Sequence, residues 1–113
     1  LEAAVITCII RYEIEPTRKA DFERYAKVWG RVIPRCGGDL IGYYAPHEGT
    51  TTTAYALFNV SSLAAYEAYR AHLREDKEGM ENFDFAQRER FIRREDRQFY
   101  TLCSTPHGPL LKV

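Results

Sequence analysis

The stretch Val5-Ile6-Thr7-Cys8-Ile9-Ile10-Arg11-Tyr12-Glu13-Ile14 decides the fold. Taking every second residue, Ile6, Cys8, Ile10, Tyr12 and Ile14 are all apolar or aromatic. The intervening set, Val5, Thr7, Ile9, Arg11 and Glu13, is apolar only in its first half. A period of two with one clean face predicts a strand, and Pro16 ends it. The mixed second set predicts a strand whose other face also keeps some apolar surface.

Beyond Pro16, Thr17 is placed to cap a helix. Phe22, Tyr25, Ala26, Trp29, Val32 and Ile33 recur at three- and four-residue steps, which makes one apolar stripe. Pro34 and Gly37-Gly38 are expected to stop that helix. Leu40 to Ala45 and Thr53 to Val60 read as two more strands, joined by the hairpin-length loop Pro46-His47-Glu48-Gly49-Thr50. Ser61 or Ser62 then caps a helix with Leu63, Tyr66, Tyr69 and Leu73 on one face. Asp76 caps a further helical segment, with Met80, Phe83 and Phe91 on its buried side. The run Arg88 to Arg97 reads as a solvated helix face supported by a Glu89–Arg93 pair. Gln98 to Ser104 is the expected last strand.

The element order is thus β-α-β-β-α-(α)-β. Right-handed crossovers turn it into an α+β, ferredoxin-like βαββαβ domain with an extra helical segment. Its four-stranded antiparallel sheet should have the order 4-1-3-2, with helices on one face. A single domain over residues 5–105 is expected. Residues 1–4 are set aside as a remnant without functional weight, and 106–113 read as an irregular tail.

Helices on one face leave the other face of the sheet to water, yet the strands carry apolar residues on both sides. The third strand sets Tyr55 and Leu57 against Ala54, Ala56, Phe58 and Val60. Each exposed large aliphatic side chain forfeits roughly 1.5–3 kcal/mol of burial, so a second copy packing sheet against sheet is expected, giving a homodimer.

The 113 residues suit one core. Sixteen Lys and Arg balance sixteen Asp and Glu, which gives no overall attraction to nucleic acid or to an anionic membrane. The longest stretch free of charged residues, Gly49 to Tyr66, is too polar to span a bilayer. No basic leader precedes the first strand. Cys8, Cys36 and Cys103 are odd in number and far apart, which fits free thiols in a reducing cytoplasm, although Cys8 and Cys103 are expected to come close across the sheet.

The opening Tyr12-Glu13-Ile14-Glu15-Pro16 resembles the NIPSNAP family, within the dimeric α+β barrel superfamily. The likeness continues through Leu40-Ile41-Gly42-Tyr43-Tyr44, Glu48-Gly49 and Ser62-Leu63-Ala64-Ala65-Tyr66-Glu67, then Arg70, Leu73 and Asp76. It covers roughly Ile6 to Cys103. Where family members carry an asparagine after Glu-Gly and a tryptophan in the third strand, this chain has Thr50 to Thr53 and Ala56-Leu57-Phe58. The resemblance implies a dimer with a pocket between sheet and helices in each protomer. The family's biochemical role is undefined, and the wider superfamily spans cofactor-free monooxygenases, haem-degrading enzymes and isomerases.

Candidate residues for such a pocket are Tyr12, Trp29, Tyr43, Tyr55, Tyr69, His72 and Phe83. His72, whose imidazole titrates near neutral pH, or one of the tyrosines is the candidate acid or base. The haem-degrading relatives use an asparagine on the first strand; this first strand has none, and no cofactor is expected. The histidines, His47, His72 and His107, show no ligand spacing and the cysteines no Cys-x-x-Cys, so no metal site is expected. Gly37-Gly38 follows a helix rather than opening one, which is the wrong place for a phosphate cradle. Two classes of function stay open: a dimer that binds a small apolar or aromatic ligand, and a cofactor-independent monooxygenase or isomerase acting on such a ligand.

Overall fold

A computed structural model describes residues 5–104 and 106 of the chain. The expectations for residues 1–4 and for the tail beyond Pro106, His107 included, lie outside them. The first strand, β1 (Ile6–Ile14), leads through a 3-10 turn at Pro16–Arg18 into helix α1 (Lys19–Arg35). Strands β2 (Asp39–Tyr44) and β3 (Thr53–Val60) follow, then helices α2 (Leu63–Glu75) and α3 (Lys77–Glu89) and strand β4 (Ile92–Thr101). The sheet is antiparallel with the order β2-β3-β1-β4, which is the expected order read from the other edge.

The period-two reading of β1 sets the two faces. Cys8, Ile10, Tyr12 and Ile14 are buried against the helices, and Phe58, Ala56 and Ala54 of β3 stand opposite the first three. Helix α1 covers this face with Phe22, Tyr25, Trp29, Val32 and Ile33, the stripe seen in the sequence. It runs to Arg35, carrying Pro34 inside, and closes where Gly37 takes a positive φ of 107° and Gly38 N–H donates to the Ile33 carbonyl. Thr17 is not the cap. It lies inside the 3-10 turn, and Arg18 fastens the helix start instead, bonding Asp21, the Glu89 carboxylate at 2.8 Å and the Glu89 carbonyl at 3.0 Å.

Ser62 caps α2, its hydroxyl accepting from Ala65 N–H at 2.9 Å. Tyr66 and Tyr69 are the buried residues of α2, while Leu63 in its first turn stays 57% exposed. On α3 the buried positions are Gly79, Asn82 and Ala86, one step away from the expected Met80 and Phe83. A Cβ at Gly79 would stand 3.1 Å from Val32 and 3.4 Å from Trp29, so the missing side chain is what lets α3 approach α1. Asn82 secures the contact by donating to the Tyr25 carbonyl at 3.0 Å.

The last strand corrects the sequence reading most. Helix α3 ends at Glu89, Arg90 takes a left-handed φ of 55°, Phe91 drops into the core, and β4 already begins at Ile92. Residues 92–97 are strand, not a solvated helix face. Arg93 meets Glu15, not Glu89. The other ion pairs here skip one residue, Arg94 with Asp96 and Arg97 with Glu95, which is strand spacing on an edge strand guarded by charge. Because β4 starts early, Phe99 stands opposite Cys8 and Cys103 falls beyond the strand. The expected approach of Cys8 to Cys103 does not occur, and all three thiols are free.

Asp76 joins the two later helices. It accepts from Gly79 N–H at 2.8 Å, capping α3, and pairs with Arg35 through both carboxylate oxygens at 2.9 Å. Arg35 first, and the Gly79 N–H after it, hold the carboxyl down at about 2. The folded-state value lies below the ordinary 3.8, so this stabilisation is complete above that value and is lost as pH falls from 3.8 through 2. Asp76→Ala should therefore unfold at lower urea than the native chain at pH 7, with the gap closing across that acid window. A gap that does not change with pH would show that the ionised carboxylate is not what holds the junction.

Candidate functional site

The helix-facing side of the sheet is not filled completely. Small residues on β3 explain part of this: Ala54 and Ala56 lie opposite Tyr12 and Ile10, with Tyr43 of β2 on the far side of Ala56. Tyr12 and Tyr43, two strands apart, meet over these alanines with their hydroxyls 3.3 Å from each other. Beside them a cavity of about 380 Å³ opens between the sheet and the helices.

Every layer contributes to its wall. The sheet gives Ile10, Tyr12, Tyr43 and Phe58, and α1 gives Tyr25, Trp29 and Ile33. From α2 come Tyr69, Arg70, Leu73 and Arg74; from α3, Met80 and Phe83; from β4, Glu95 and Arg97. The rings interlock edge to face, Tyr25 with Trp29 at 5.8 Å and with Tyr12 at 6.4 Å between centroids. The size and the mostly apolar wall with a few polar groups are those of a small-molecule pocket.

Electrostatics divides the wall in two. Burial pushes the Tyr12 and Tyr43 hydroxyls well above the ordinary tyrosine value; Tyr43 adds to the Tyr12 shift and Tyr25 to the Tyr43 shift, while the hydrogen bond with Tyr12 draws Tyr43 back a little. Burial, with Glu95 adding to it, takes Tyr25 to about 12, and Tyr69 is also raised by burial. These hydroxyls stay protonated at neutral pH and can donate or accept hydrogen bonds. Trp29 is 6% exposed, and its Nε1–H lowers the Tyr25 value somewhat but meets no acceptor at hydrogen-bonding geometry. The charged part lies on α2 and β4. Arg97 bonds Glu95 at 2.5 Å and the Tyr66 hydroxyl at 2.9 Å.

Of the residues singled out in the sequence, the cavity brings together Tyr12, Trp29, Tyr43, Tyr69 and Phe83. Phe83 is 48% exposed and so stands at its mouth. Tyr55 is not among them. It points to the open face of the sheet with Leu57, because its neighbours Ala54 and Ala56 take the helix-facing positions. His72 is not among them either. It is exposed on α2, with Nδ1 3.3 Å from the Cys36 carbonyl. The convergence of His72 with tyrosine hydroxyls, which an acid–base site built on it requires, is absent. Tyr25, Arg70, Arg74, Glu95 and Arg97 were not anticipated. Among the described residues no group of three His, Cys, Asp or Glu side chains is placed to hold a metal ion. No described helix is long and apolar enough to cross a membrane.

The family model of NIPSNAP matches residues 7–106, almost the whole of the ferredoxin-like unit. The chain belongs to the NIPSNAP family. Among solved structures it is similar to a NIPSNAP family protein with unknown function from Agrobacterium tumefaciens, at 16% identity, covering 90% of this chain and 91% of that one with a TM-score of 0.77. An uncharacterized NIPSNAP-like domain protein from Burkholderia xenovorans shares 21% identity over 98% of this chain and 94% of its own, with a TM-score of 0.74. More distant is SnoaB, a cofactor-independent oxygenase from Streptomyces nogalater, at 13% identity, 90% and 96% coverage and a TM-score of 0.56. At these identities the likeness shows the fold alone. No curated protein sequence matches the chain.

Proposed function

We propose that this NIPSNAP chain is a homodimer whose protomers each hold a small apolar or aromatic ligand between sheet and helices. One observation carries the reading: a cavity of about 380 Å³ walled by stacked rings, with a few polar groups converging on it. Turnover asks for more. A general acid or base works best when it titrates near the working pH, whereas the tyrosines here are all pushed upward and His72 lies outside the wall. Binding without turnover is therefore favoured over oxygenation or isomerisation.

The dimer is supported by the open face of the sheet. Tyr44, Tyr55 and Tyr100 are 51%, 38% and 48% exposed there, beside Ile9 and Leu57. The charges on the same face are already neutralised in pairs, Arg11 with Glu13 and Arg94 with Asp96, which lowers the cost of covering them. Free thiols at Cys8, Cys36 and Cys103 suit a reducing cytoplasm.

Calorimetric titration with 2-naphthalenemethanol, a neutral ring of fitting size, tests the pocket. Saturable binding near one per chain is expected, and Leu73→Trp, which puts an indole into the cavity wall, should abolish it. Heat without saturation, or binding untouched by Leu73→Trp, would refute the cavity as the site.

A further inference from the structure

The arginines of this chain are mostly spoken for. Arg11, Arg18, Arg31, Arg35, Arg88, Arg93, Arg94 and Arg97 each meet a carboxylate among the described residues. Arg70 and Arg74 meet none, and both line the cavity. They lie four apart on α2, where like charges on successive turns repel and weaken a helix. The helix C-terminus rewards a cation in its last turn, which accounts for Arg74 but not for Arg70, a turn earlier. Arg70 has only the Tyr66 ring beneath it, its guanidinium carbon 5.8 Å from the centroid.

The rest of the wall does not balance them. Glu95 is the one acidic residue in the lining, and Arg97 already bonds it. Arg70, Arg74 and Arg97 set against Glu95 leave an excess of positive charge around an apolar hollow. Trp29 in the same wall adds a second and independent need: its buried N–H, near enough to Tyr25 to lower that hydroxyl's value, meets no acceptor at hydrogen-bonding geometry. A buried donor left unmet costs about 1–3 kcal/mol. Both features ask for oxygen acceptors, one of them charged. Guanidinium is suited to carboxylate because its planar fork matches the two oxygens.

We infer that the ligand of this cavity is an aromatic or alicyclic carboxylate, its ring among the tyrosines and its carboxylate between Arg70 and Arg74. This rests on the binding reading above and adds to it the charge of the ligand. Salt should act as the sign of that charge, because pairs near the surface are screened. Since both arginines are exposed and bond no other part of the fold among the described residues, replacing them should leave folding intact.

The test compares 2-naphthoate with 2-naphthalenemethanol, which differ in charge and hardly in shape, by calorimetry on the full chain. In 50 mM salt the carboxylate should bind at least about tenfold more tightly, which corresponds to ~1.4 kcal/mol. The preference should shrink in 500 mM salt and vanish in Arg70→Gln/Arg74→Gln, through weaker binding of the carboxylate. Arg88→Gln, which alters an arginine outside the lining, should keep the preference. Equal binding of the two probes by the native chain, or a preference that survives the double replacement, would overturn the carboxylate assignment and leave the pocket standing. Binding of neither probe would overturn both. An unchanged thermal midpoint in the double variant separates lost recognition from lost fold.

Discussion

Phe58→Asp should leave the chain unfolded, whereas Leu57→Asp, one residue earlier, should leave it folded but monomeric. The strand period of two is the reason. Phe58 is 1% exposed on the helix side, its ring 5.1 Å from Tyr69 and 6.3 Å from Tyr66. Removing a buried phenylalanine ring costs about 3–5 kcal/mol, and a carboxylate in its place adds an unpaired buried charge. Domains of this size hold only about 5–15 kcal/mol in total. Leu57 instead faces the open side next to Ile9 and is only partly covered in the single chain. A carboxylate there stays wet in the monomer and is trapped only when a second sheet covers it. Circular dichroism should show native signal lost for Phe58→Asp and kept for Leu57→Asp. Sedimentation at micromolar concentration should give about twice the chain mass for the native protein and the single mass for Leu57→Asp. A folded Phe58→Asp would contradict the face assignment, and a dimeric Leu57→Asp would move the proposed interface elsewhere.

How far the sequence could be read follows from how strongly each element is marked by burial. β1 and β3 lie in the middle of the sheet, so one alternate set in each is apolar and their bounds come close to expectation. β4 is an edge strand with few apolar residues before Phe99, so its hydrophobic period fails and a charged run imitates a helix surface. The signal was there in another form. Arg94–Asp96 and Glu95–Arg97 alternate sign at a spacing of two, which places partners on one side of a strand and on different sides of a helix. The same misreading hid Glu95 and Arg97 from the candidate site. On α2 the error was one of flank. At 3.6 residues per turn, Arg70 and Arg74 lie to one side of the Tyr66, Tyr69 and Leu73 stripe and His72 to the other. Both flanks have apolar neighbours in the sequence, so chemistry alone favoured the histidine; packing places the arginines on the cavity and turns His72 toward the Cys36 carbonyl.

Trp29→Ala should destabilise the chain by about 3–5 kcal/mol in urea unfolding, and Trp29→Phe by far less. The indole is the middle of the α1 stripe: it packs on Tyr25, lies where a side chain on Gly79 of α3 would reach, and forms part of the cavity wall. Alanine at that position would join the vacated volume to the existing hollow, and a larger void costs more than an isolated one of ordinary size because no side chain on the cavity side can move in against it. Phenylalanine keeps most of the apolar contact. It also removes an N–H that is buried without an acceptor, and that relief of about 1–3 kcal/mol offsets much of the lost ring area. The comparison of the two variants therefore reports on the unmet donor and not on size alone. If Trp29→Phe costs as much as Trp29→Ala, the N–H has a partner in solution and the acceptor-seeking character of the cavity loses one of its two supports. A loss below about 1 kcal/mol for Trp29→Ala would contradict more, because a buried ring of that size cannot be given up so cheaply, and the packing of α1 and α3 about it would have to be redrawn.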